Sequence, residues 1–147
     1  MINEKLLKLT EEKCGSLWED GASENLIKEV ERKLNVLFPS SYINFLKRFG
    51  EGGITGSYIY GISDENFSSV LNETLLYREQ YDIPNEWIVI AAGRSSWEEY
   101  LVCLDTKRIV NEECPVIKYD LIDKEVEEFK DNFDEYFNDD LEFLYHK

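Results

Sequence analysis

The chain has 147 residues, with 31 acidic side chains against 16 basic ones and a formal charge of −15. That length suits a single domain spanning 1–147, and an aromatic content of 14% supplies large apolar surfaces for its core. The negative field disfavours nucleic acid and anionic membrane as direct partners and favours a basic partner, and no apolar run nears the ~18 residues that cross a bilayer.

The N-terminal stretch MINEKLLKLTEEKCG alternates leucines with charges, which predicts a short helix from Asn3 to about Lys13 rather than a secretory leader. Gly15 to Gly21 reads as a loop carrying Trp18. Ser23 is placed to cap a second helix that runs to about Leu34, with Leu26, Ile27, Val30 and Leu34 on one face. Pro39, Ser40 and Ser41 mark the start of a third helix, because proline is preorganised for a first turn and serine oxygens accept orphan N–H groups. Tyr42, Phe45, Leu46 and Phe49 then form one apolar stripe. Lys47 and Arg48 suit its last turn, and Gly50 ends it, with Gly52-Gly53 blocking continuation.

Tyr58 to Ile62 reads as a strand with a bulge or close approach at Gly61. Asp64 is placed to cap a helix containing Phe67, Val70, Leu71 and Leu75 and ending near Tyr81. Ile83-Pro84 is extended. Trp87 to Ala92 is apolar without alternation, so it is expected to be a central strand covered on both faces. Gly93 to Ser96 reads as a turn, Trp97 to Leu104 as the next strand, Asp105 to Lys107 as a turn, and Val116 to Tyr119 as a further strand. A last helix carries Val126, Phe129, Phe133, Tyr136 and Phe137, and Asp139-Asp140 ends it. The fold class is therefore α+β: a central, mainly antiparallel sheet with helices packed on it.

Catalytic patterns are scarce, and no enzyme activity, metal or cofactor is expected. His146 is the one histidine and lies next to last, a poor place for a general base. Cys14, Cys103 and Cys114 lack metal-ligand spacing and read as structural thiols of a reduced, cytoplasmic chain. GEGGITG, Gly50 to Gly56, lacks the lysine and the preceding strand of a phosphate-binding loop. Glu127, Asp131 and Asp134 fall at helical spacing, and a solvated helix face explains them better than a metal site.

The stretch LFPSSYINFLKRFGEGG, Leu37 to Gly53, resembles the signature of the SUKH superfamily, the Smi/Knr-like domain. The similarity extends through IKEVERKLNVLFP before it and YIYGI, WIVIAAG, EEYLVCLDT and VEEFKDNFDEYF after it, from roughly Ser23 onward. Phe38 stands where leucine is usual before the proline, and the Gly93–Trp97 segment is poorer in Gly and Asp. The resemblance implies a SUKH-like fold and, for bacterial members, an immunity protein that binds and neutralises a cognate polymorphic toxin. Many such toxins are nucleases, and a basic nuclease cleft suits an acidic inhibitor that blocks it stoichiometrically. A regulatory scaffold for an endogenous partner is the alternative that the family implies.

Candidate partner-binding residues are the acids in or beside the predicted loops: Glu51, Asp64, Glu65, Glu98, Glu99 and Asp105, with Glu112 and Glu113 in the same category. Trp97 joins them because a tryptophan beside a turn and next to paired acids has hot-spot character.

Overall fold

The computed structural model describes residues 1–94 and 98–147. Helix α1 (Glu4–Cys14) starts at Asn3, whose side chain accepts the Leu6 N–H at 3.1 Å. Strand β1 (Ser16–Trp18) follows, then α2 (Glu24–Leu34), capped as expected by Ser23 through the Leu26 N–H at 3.2 Å. Helix α3 (Ser40–Phe49) ends at Gly50, which has a positive φ of 72°. Strand β2 (Gly52–Ile54), α4 (Ser69–Tyr81), β3 (Trp87–Arg94), β4 (Glu99–Asp105), β5 (Val116–Asp120), β6 (Val126–Lys130) and α5 (Phe133–His146) complete the order.

Strands β3-β4-β5-β6 form one antiparallel sheet in sequence order, and β1 pairs with β2 in a separate antiparallel ribbon. The fold is thus the expected α+β class. One face of the large sheet, with Ile88, Ile90, Val102, Leu104 and Val116, packs on α3 and α5. Trp18, Phe45, Phe49, Phe133 and Phe137 build an aromatic block there, with the Trp18 and Phe49 ring centroids 4.3 Å apart. The opposite face, with Val89, Leu101, Cys103 and Ile117, is covered in part by Tyr77 of α4 and by Ile83.

Several local expectations are corrected. Trp18 lies in β1 rather than a loop, because Gly52 lets the chain close against it: a Cβ at Gly52 would sit 2.0 Å from the Leu17 carbonyl oxygen. Tyr58 to Ile62 makes only a bridge, Ile59 to Gly52, and Tyr60 donates its N–H to the Ile90 carbonyl at 2.8 Å. Asp64 caps a turn through the Asn66 and Phe67 N–H groups, while Ser68 caps α4 through the Leu71 N–H.

Strand β3 is an edge strand, although both its faces are buried. An apolar run reports cover above and below, not neighbours on both sides. The outer edge of β3 is met by Tyr60 and by Thr74 Oγ1, which accepts the Val89 N–H at 3.0 Å. Val126 to Lys130 is β6, not the start of the last helix. Asp120 folds the chain back by accepting the Ile122 and Asp123 N–H groups, and pairing with β5 then overrides the helical spacing. Asn132 restarts the chain as the α5 cap, and α5 runs through Asp139-Asp140 to His146. Glu127, Asp131 and Asp134 therefore lie on a strand, a turn and a helix rather than on one helix face. Among the described residues, no helix is long and apolar enough to cross a membrane.

Candidate functional site

The first turn of α3 shows where two of the loop acids go. The cap position is Pro39, which has no side-chain acceptor, so the serines do not cap this helix. Glu113 does so from across the chain, accepting the Ser41 N–H at 3.0 Å and its Oγ–H at 2.6 Å. Glu112 contributes its backbone carbonyl to the Ser40 N–H at 2.8 Å.

Glu51 is also withdrawn from the surface, with only 2% exposure. Its carboxylate accepts the Ser69 N–H at 3.2 Å, the Ser69 Oγ–H at 2.7 Å and the Tyr58 hydroxyl at 2.8 Å. It sits at the N-terminus of α4, where the helix dipole favours an anion. Burial, then the bond to Glu51, push the Tyr58 hydroxyl up to about 12. Glu51→Ala should cost about 1–3 kcal/mol, because three donors lose their acceptor in a buried site. A chemical-denaturation midpoint checks this, and Glu51→Gln, which keeps an acceptor oxygen, should lose less.

The remaining candidates do not share one patch. Asp64 and Glu65 are exposed in the turn before α4. Asp105 ends β4, where it pairs with Arg108 at 2.7 Å. Glu98 and Glu99 lie at the opposite end of that strand, roughly 20–24 Å away at about 3.4 Å per residue. Glu98 pairs with Lys118 at 3.1 Å, and Glu99 is the register partner of Arg94. Trp97 lies outside the described residues.

At the Tyr100 end of β4 the structure forms a cleft of about 530 Å³. One wall is α5, with Tyr136, Asp139, Asp140 and Phe143, and another is the β3–β4 pair, with Gly93, Tyr100 and Val102. Ser57 and Tyr58 close a third side. The Tyr100 ring lies over Gly93, where a Cβ would come within 2.1 Å of it, so only glycine leaves this ring its place. Lys118 Nζ stands 4.2 Å from the same ring's centroid. Tyr100 and Glu98 also line an adjoining depression with Lys118 and Glu127.

The cleft is aromatic and acidic together. Asp139 pairs with Lys130 at 3.2 Å, and Asp140 accepts the Ser57 Oγ–H at 2.6 Å. Burial raises the Asp140 carboxyl above its ordinary value, Ser57 opposes the rise, and Asp139 adds to it. A carboxyl raised in the folded state favours folding most when protonated, so this group's contribution improves as pH falls through its folded value. Asp140→Asn should therefore melt above the wild type at neutral pH, and the difference should narrow in acid. Thermal melts across pH check the sign. Burial likewise raises the thiols: Cys114 reaches about 12 and Cys103 goes higher still, consistent with inert packing rather than chemistry.

The sequence reading missed Tyr58, Tyr100, Tyr136, Asp140 and Phe143 as site residues. The available signal was Asp140 itself, an acid at core spacing after Phe133, Tyr136 and Phe137. Ending the helix at Asp139-Asp140 concealed it. The SUKH_5 family model, described as SMI1-KNR4 cell-wall, matches residues 2–144.

Proposed function

We propose, from the fact that this chain belongs to the SUKH superfamily, that it is an immunity protein for a basic toxin domain, a nuclease being the best fit. It binds its cognate toxin one to one and blocks the toxin's phosphate-binding surface without catalysis. One observation carries the reading: a chain of net charge −15 presents an aromatic-walled, acid-bearing cleft beside its β3–β4 pair. Negative charge speeds capture of a basic partner, and exposed aromatics supply the contacts that slow release.

The test is titration of a toxin encoded beside this chain's gene with the purified protein. Toxin activity should fall linearly and vanish at equimolar inhibitor. Full toxin activity at excess inhibitor would overturn the reading and leave the regulatory-scaffold alternative.

A further inference from the structure

Helix α5 buries one stripe: Phe133, Tyr136, Phe137, Leu141 and Leu144. Asp140 falls within this stripe, at i+7 from Phe133 and i+4 from Tyr136. An apolar residue there would continue the core. A carboxylate there loses hydration, and among the described residues its hydrogen-bond donor is a neutral hydroxyl, Ser57. Among the described residues, no cation pairs with it, whereas its neighbour Asp139 has Lys130. A half-buried acid without a counter-charge is costly in the free protein and becomes favourable when a cation arrives.

The surroundings suit such a cation. Tyr58 and Phe143, 49% and 67% exposed, line the cleft with aromatic surface, while the Tyr100 ring lies between Gly93 and Lys118 and Tyr136 is buried. Aromatic faces attract guanidinium more readily than ammonium, and the planar fork of arginine also matches a carboxylate. The cleft, at about 530 Å³, has room for a whole arginine side chain.

We infer that this cleft is the receptor for one arginine side chain of the protein partner, with Asp140 as the counter-charge and Tyr58 and Phe143 as the aromatic walls. The inference deepens the proposed immunity function and rests on it for the partner's identity. The cleft then acts as the anchor point of the interface: long-range charge brings the partner in, and one buried guanidinium fixes its register.

The probe is the capped tripeptide acetyl-Gly-Arg-Gly-amide, with citrulline as its neutral isostere, titrated into the isotope-labelled full chain and followed by NMR. Saturable shifts are expected at Ser57, Gly93 and Tyr100, with the arginine peptide binding at least about tenfold more tightly than the citrulline one. Asp140→Asn should remove that preference. Phe143→Ala, at an exposed position, should weaken both peptides without disturbing the fold, so the inference stays testable if the Asp140 variant folds poorly. Equal affinity for the two peptides, or shifts confined to other surfaces, would overturn it. Arginine-selective binding with no toxin neutralised would keep the receptor and remove the immunity reading. Neutralisation unaffected by Asp140→Asn, with no peptide bound, would do the reverse.

Discussion

Phe45→Ala is expected to remove about 3–5 kcal/mol of stability, a large part of what a domain of this size possesses. The Phe45 ring is fully buried and lies within about 6 Å of the rings of Trp18, Tyr42, Phe49, Phe133 and Phe137. It therefore joins α3 to β1 and α5 at once. Deleting it leaves a void among rings that are each held by other neighbours, so collapse around the gap is restricted. Urea unfolding of the wild type and the variant checks the value. A loss under 1 kcal/mol would mean that the aromatic block repacks freely, contrary to the close packing of protein interiors.

The second large effect concerns speed. Association with a basic toxin should slow by about tenfold or more between 0.01 M and 0.15 M salt, as the Debye length contracts from ~30 Å to ~8 Å. Dissociation should change far less, because contacts in the cleft act after docking. The double variant Glu98→Lys, Glu99→Lys reverses charge at the end of β4 that carries Tyr100 and should slow association several-fold further, with its salt dependence flattened. Stopped-flow kinetics with the cognate toxin provide the measurement. An association rate indifferent to salt would remove steering from the mechanism, and unchanged kinetics in the double variant would move the contact away from this end of β4.

Elements that carry their own signals were legible in the sequence. Helix α2 has Ser23 at its start and one apolar face, and α3 has its aromatic stripe with Gly50 at its end, so local chemistry and tertiary packing agree. Strand β6 was not legible, because Val126, Phe129 and Phe133 keep helical spacing across a boundary set by turn geometry at Asp120 and by the Asn132 cap. The candidate site was half visible for the same reason. Glu98 and Glu99 were chosen for their charge, but Glu98 lines only the depression beside the cleft, and Glu99 alternates with Tyr100 onto the other face of β4, toward Tyr77. Glu51 and Glu113 were chosen on the same grounds, yet each serves a helix terminus distant in sequence, a fact that composition cannot express. Asp140 became meaningful only once α5 was known to continue past it.

The Glu113 cap on α3 has a consequence for the order of folding. Helix α2 carries its cap three residues from the bond it makes and can nucleate by itself. Helix α3 depends on a carboxylate 72 residues along the chain to accept the Ser41 N–H of its first turn. Its opening turn becomes secure only after the connection between β4 and β5 has docked, so the signature segment matures late, and its early turns should exchange their amide hydrogens together with that connection rather than with their sequence neighbours.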